Sequence, residues 1–228
     1  MDGESSAVAE TRAQPGPHPG QPLIRVVDDD EGILSALART LASAGWDVET
    51  YASGQAFLEA YDAARPGCVL LDLRMPGMSG FRVQQKLAER GCRASIVFMT
   101  GHADVPAAVR AIKCGGLDCL QKPFAEEQLL DTVERAVEGD VEARRRAARR
   151  AELEARLALL TARERDVLRL LLAGMLNKQI AAELGISQRT VEVHRHHLMR
   201  KMQAGSVVHL LKMTLEVAAE GERRPLYA

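Results

Sequence analysis

At 228 residues the chain has room for two ordinary domains, each large enough for its own core. Hydrophobic residues make up 46% and charged residues 27%, as in globular proteins generally, and the longest apolar runs fall far short of a membrane span, so a cytoplasmic location is expected. The net charge of −1 hides an asymmetry: residues 23–138 hold 12 Lys+Arg against 17 Asp+Glu, a balance of −5, whereas residues 159–214 hold 9 against 4, a balance of +5, with four of the six histidines. An acidic half and a basic half suit different partners, a cation for the first and a polyanion for the second.

Residues 1–22 contain four prolines and three glycines without an apolar run, and read as a disordered leader, not a secretory signal. From 23 to 138, short β-type runs alternate with amphipathic stretches, the pattern of βα repeats around a parallel sheet. Strands are predicted near 23–27, 47–51, 68–71, 95–99 and 119–121. Helices are predicted near 33–44, 54–61, 81–89, 106–114 and 126–137. Cys68, Cys92, Cys114 and Cys119 form no CxxC pair and suit reduced thiols in a cytosolic core.

Ligands of an open parallel sheet gather at the carboxyl ends of its strands. Those positions here carry Asp28-Asp29-Asp30, Asp72, Thr100 and Lys122. Crowded carboxylates repel, and a divalent cation relieves them; magnesium, with its preference for hard oxygen ligands and retained waters, suits such a rim. A carboxylate there can attack a phosphoryl group while metal and Lys122 offset charge on the transferring oxygens.

Four strings in register, Val26-Val27-Asp28-Asp29-Asp30-Glu31, Leu70 to Gly80 (LLDLRMPGMSG), Met99-Thr100-Gly101-His102 and Gln121-Lys122-Pro123-Phe124, closely resemble the receiver domains of two-component response regulators. The resemblance implies phosphorylation of Asp72 by a sensor histidine kinase. It implies Mg2+ or Mn2+ on Asp28, Asp29, Asp72 and the main-chain carbonyl of Arg74, with Asp28 acting mainly through water. Thr100 and Lys122 would hold the phosphoryl group, and the Lys122-Pro123 bond would be cis. The chain departs from the family at Cys119, where an aromatic switch residue often stands, so the expectation is that Thr100 and the helix near 106–114 carry the signal. A phosphatase using a similar strand-end aspartate would need an acid two residues further on, where this chain has Arg74.

Residues 139–158, rich in Ala, Arg, Glu and Leu without proline, favour a helical linker. Val133, Val137, Val141, Leu153 and Leu157 recur at helical spacing, which allows one continuous helix; Gly139 argues against it, and a solvated Arg-rich connector is the alternative.

After residue 159 no β pattern remains. Thr161-Ala-Arg-Glu164 forms a capping box, Gly174 should end the helix it opens, Asn177 can cap a second helix, Gly185 makes a turn and Ser187 can cap a third, with a last helix near 207–217 and a tail at 218–228. Helix, short glycine-containing turn, helix is the geometry of a helix-turn-helix. On the third helix, Val191, Leu198 and Met202 can face inward. Arg189, Thr190, Glu192, Val193, Arg195, His196, Arg200 and Lys201 can then face DNA or solvent. The strings Leu160-Thr161-Ala-Arg-Glu164, Asn177-Lys178-Gln-Ile180-Ala181, Leu184-Gly-Ile-Ser187 and Thr190-Val-Glu-Val-His194 resemble the LuxR-type helix-turn-helix of the NarL/FixJ class. Long helical linkers make its FixJ-like branch the nearest resemblance.

The expected fold is thus a doubly wound (βα)5 receiver, a helical linker and a four-helix LuxR-type domain. The resemblance implies a transcriptional activator, not an enzyme beyond its own phosphoryl transfer. It would dimerise on phosphorylation, bind promoter DNA through residues including Lys178, and engage RNA polymerase without membrane contact.

Overall fold

The computed structural model describes residues 21–101 and 118–221, with side chains to Leu215. The leader and the helix expected near 106–114 lie outside the described residues. Contacts divide the chain into two units, 1–144 and 145–228.

In the first unit, β1 (Leu23–Val27), β2 (Asp47–Tyr51), β3 (Gly67–Asp72), β4 (Ser95–Thr100) and β5 (Asp118–Gln121) form one parallel sheet in the order β2-β1-β3-β4-β5. Alternation of side chains across the pleat divides the core in two. Ile24, Val26, Cys68, Leu70, Val97 and Met99 pack against α1 (Glu31–Ser43) and the first part of α4 (Glu126–Ala158). Val27, Val69, Leu71, Ile96 and Phe98 pack against α2 (Gly54–Ala60) and α3 (Gly80–Glu89). Both faces are covered, which explains why β1 and β3 are buried throughout and read as continuous apolar runs. The order reverses beside β1 and β3, so the carboxyl ends of these strands open onto the crevice where ligands bind in such sheets.

The linker question resolves as one helix: α4 runs 33 residues through Gly139. The first unit also extends past the expected boundary at 138, because Asp140 and Arg144 are hydrogen-bonded to its 63–67 segment.

The second unit is helical. A reciprocal Thr161–Glu164 capping box opens α5 (Ala162–Leu172), and Gly174 follows its end at φ +79°. Gly185, left-handed at φ +65°, closes α6 (Asn177–Leu184), and the Ser187 hydroxyl caps α7 (Gln188–Met202). The last element is α8 (Val207–Gly221). Leu153, Leu160, Val167, Leu171, Ile180, Val191, Leu198, Met202 and Leu210 form the core. The expected Asn177 cap is corrected: the capping position is Leu176, whose N–H donates to the Gln179 side chain at 2.8 Å. Asn177 begins the helix and accepts from Arg195 instead.

Candidate functional site

The carboxyl ends of β1, β3 and β5 bring Asp28, Asp72 and Lys122 into one cluster. Lys122 Nζ donates to Asp28 Oδ2 at 2.5 Å and to Asp72 Oδ1 at 2.6 Å, although the partners lie 94 and 50 residues away in sequence. Asp28 is 2% exposed and Asp72 8%. Asp28 also accepts from the Asp30 N–H at 3.0 Å and Asp72 from the Arg74 N–H at 2.6 Å, so the backbone aims both carboxylates. Asp30 accepts from the Gly32 and Ile33 N–H groups as the cap of α1, and Asp29 is exposed on the same loop outside this hydrogen-bonded cluster.

β5 places Lys122 through its N–H, which donates to the Thr100 carbonyl at 2.7 Å, and the Lys122-Pro123 peptide is cis. Thr100 is buried, and its hydroxyl lies 3.4 Å from the Gly101 carbonyl, not on the carboxylates. Cys119 is half-buried against the Phe98 side of the core. Gly80 escaped sequence reasoning as a determinant of the rim. A Cβ there would press into the Asp72 carbonyl, so glycine lets the start of α3 approach the strand end.

Burial pushes the Asp72 carboxyl above its ordinary range; the Lys122 hydrogen bond and charge and the Arg74 N–H oppose this, and Asp28 adds to it. Burial lowers Lys122, but hydrogen bonds to Asp28 and Asp72 and their charges hold its ammonium above its ordinary value. Two buried carboxylates thus share one cation, and a second positive charge would be accommodated. The donors on offer, carboxylate oxygens of Asp28, Asp29 and Asp72 and the Arg74 carbonyl, suit magnesium or manganese, not a soft metal. Among the described residues no three acidic, His or Cys side chains converge closely enough to hold a metal ion by themselves.

On α7, Val191, Leu198 and Met202 are buried as expected, while Arg189, Thr190, Glu192, Val193, His196 and Arg200 are exposed, as is Lys178 on α6. The Thr190 hydroxyl lies 2.8 Å from the capping Ser187 hydroxyl. Two of the residues expected to bind DNA also make contacts within the fold. Arg195 is half-buried and donates to Asn177 Oδ1. Lys201 Nζ donates to the buried Glu164 Oε2 at 2.6 Å, a carboxylate from α5 that lies on its side of the helix. The sequence marks Glu164 only as half of a capping box; its partner Lys201, 37 residues away, leaves no local signal.

Residues 24–134 match the model of the response regulator receiver domain, and 158–214 match that of the bacterial regulatory proteins of the luxR family. The chain is a two-component response regulator with a LuxR-type DNA-binding domain. The response regulator is 45% identical over 192 residues to the response regulator protein TmoT of Ectopseudomonas mendocina, covering 84% of this chain and 87% of that protein. It is 42% identical to the transcriptional regulatory protein FixJ of Azorhizobium caulinodans, covering 84% and 91% respectively. Among solved structures, the response regulator StyR matches with a TM-score of 0.77 at 42% identity, over 86% of this chain and all (100%) of that one. Full-length FixJ from B. japonicum matches with a TM-score of 0.56 at 39% identity, over 88% and 98%. The regulator thus belongs to the DNA-binding transcriptional response regulators of two-component systems.

Proposed function

We propose that Asp72 is the phosphoacceptor and that its phosphorylation by a sensor histidine kinase switches the chain into a dimeric, promoter-binding activator in the cytoplasm. The observation that carries this reading is Lys122 bridging Asp28 and Asp72, which sets a charged, aimed carboxylate beside a fixed ammonium. An Asp72 oxygen attacks the phosphorus of a kinase phosphohistidine; a P–O bond forms as the P–N bond breaks, and the electron pair leaves with the imidazole. The product is an acyl phosphate, and Lys122 then pairs with a phosphoryl oxygen. Bound through Asp28, Asp29, Asp72 and the Arg74 carbonyl, Mg2+ or Mn2+ would offset charge on the transferring oxygens. The Thr100 hydroxyl, free of the carboxylates, can turn to the phosphoryl group. The same residues carry out the slow return reaction with water.

In the second unit, Glu192, Val193 and His196 read base edges in the major groove, while Lys178, Arg189, Thr190 and Arg200 hold phosphates. Val208, Leu211 and Leu215 leave an apolar stripe exposed on α8, which supports pairing of two copies there. Pairing couples two half-site contacts through effective concentration, and the DNA-bound dimer engages RNA polymerase.

The test is incubation with acetyl phosphate and magnesium, then mass mapping and gel-shift titration at fixed salt. An acid-stable, base-labile adduct on Asp72 is expected, with tighter DNA binding, and neither in Asp72→Asn. Persistent absence of the adduct in folded protein ends the reading.

A further inference from the structure

The sheet's far end, opposite the acidic rim, carries a second polar cluster that phosphoryl transfer does not use. Asp140 is 5% exposed, a buried carboxylate on α4. Its Oδ2 accepts from the Gly67 N–H at 3.0 Å and from Arg144 Nε at 2.6 Å. The Arg144 guanidinium then spans three consecutive carbonyls of the segment before β3, those of Ala63 at 2.7 Å, Ala64 at 3.3 Å and Arg65 at 3.4 Å. Arg65 of that segment is itself tied to Asp47 and to the Gln21 carbonyl. Gly67 begins β3, and Asp72 ends it. One buried strand therefore joins the acidic rim to the point where α4 is fastened.

The fastening lies just beyond a weak point in the helix. Val133, Ala136 and Val137 hold α4 to the sheet before Gly139, and Asp140 and Arg144 hold it afterwards. Glycine weakens a helix interior relative to alanine. No close neighbour demands it, since a Cβ at Gly139 would meet nothing within 4 Å. Beyond Arg144 the same helix continues into the second unit.

We propose that Asp140 and Arg144 form a latch that fastens α4 to the 63–67 segment across the Gly139 weak point, and that this latch transmits the state of Asp72 along the linker. They are positioning residues, remote from the phosphoryl group and from DNA. The inference rests on the phosphorylation switch proposed above. With the latch closed, α4 follows β3 as part of the first unit. With it open, α4 bends at Gly139 and the DNA-binding unit loses the signal.

The experiment compares full-length wild type, Arg144→Ala and Arg144→Ala with Gly139→Ala. Asp72 phosphorylation by acetyl phosphate is measured by intact mass, and DNA affinity by anisotropy before and after. Wild type should bind DNA more tightly once phosphorylated. Arg144→Ala should be phosphorylated equally and bind equally when unphosphorylated, but lose at least about fivefold of the phosphorylation-dependent gain, the lower range of allosteric couplings. Gly139→Ala should restore part of that gain by stiffening the helix. Should Arg144→Ala not fold, Asp140→Asn, which keeps an acceptor for Gly67 but loses the charge facing Arg144, carries the same comparison. An unchanged gain in the latch variant, reduced phosphorylation of it, or no rescue by Gly139→Ala overturns the latch alone. Absence of any gain in wild type overturns the switch, and the latch with it.

Discussion

Glu164 shows how a single buried charge is kept. Burial alone would raise its carboxyl, but the Lys201 hydrogen bond, the Thr161 N–H and hydroxyl, and the Lys201 charge bring it down from 4.5 to about 2. A carboxylate whose folded value is depressed stabilises the fold fully above the unfolded value and loses that contribution as pH falls towards the folded one. The ionised carboxylate, held by Lys201 and Thr161 together, thus adds to stability at neutral pH, and that contribution is lost as pH falls from 4.5 towards about 2. Glu164→Gln should therefore melt well below wild type at pH 7, with the gap narrowing through that window. Urea unfolding followed by helix circular dichroism at pH 7, 4 and 3 checks it; a gap independent of pH would mean that the glutamate acts by shape alone. Lys201→Ala should lower stability for the same reason, through the buried charge it abandons and not through a lost phosphate contact.

At the scale of elements, the start of α3 against β3 governs the acidic rim. A Cβ at Gly80 would press on the Asp72 carbonyl and the Leu71 side chain, both in the packed interior, so neither can yield cheaply. Gly80→Ala is expected to cost about 1–3 kcal/mol, the usual range for overpacking, and to slow acetyl-phosphate labelling of Asp72 as the strand end shifts. Thermal melts and labelling time courses on the same preparation check both; full-speed labelling with lowered stability would separate the strand end from the chemistry. These elements were largely legible beforehand. The positions of β1 and β3 followed from apolar runs, because burial on both faces leaves no alternation to misread. The Thr161 and Ser187 caps followed from local hydroxyl–amide chemistry. Asn177 misled because Gln179 supplied the capping acceptor from inside the helix. The passage of α4 through Gly139 could not be read locally, since the bonds that hold it come from residues 63–67, more than 70 positions away.

Across the whole molecule, the unequal distribution of charge separates two kinds of electrostatics. The first unit concentrates carboxylates around Lys122, where short hydrogen bonds make the interaction local and weakly screened. The second unit spreads Lys178, Arg189 and Arg200 over an exposed surface, where binding to a polyanion is governed by release of counterions and falls steeply with salt. Contacts to phosphate and contacts to bases should then separate in one measurement. Lys178→Ala is expected to weaken binding to target and unrelated duplexes alike and to lower the salt slope by about one. Glu192→Ala, which removes an acceptor on the exposed face of α7, should leave the slope nearly unchanged and alter which duplexes bind best, by about 1–3 kcal/mol at the position it reads. Anisotropy titrations at several salt concentrations, against a target duplex and single-base variants, decide between them. A uniform loss for Glu192→Ala across every duplex would remove that residue from base reading and leave Val193 and His196 as the side chains that distinguish sequences.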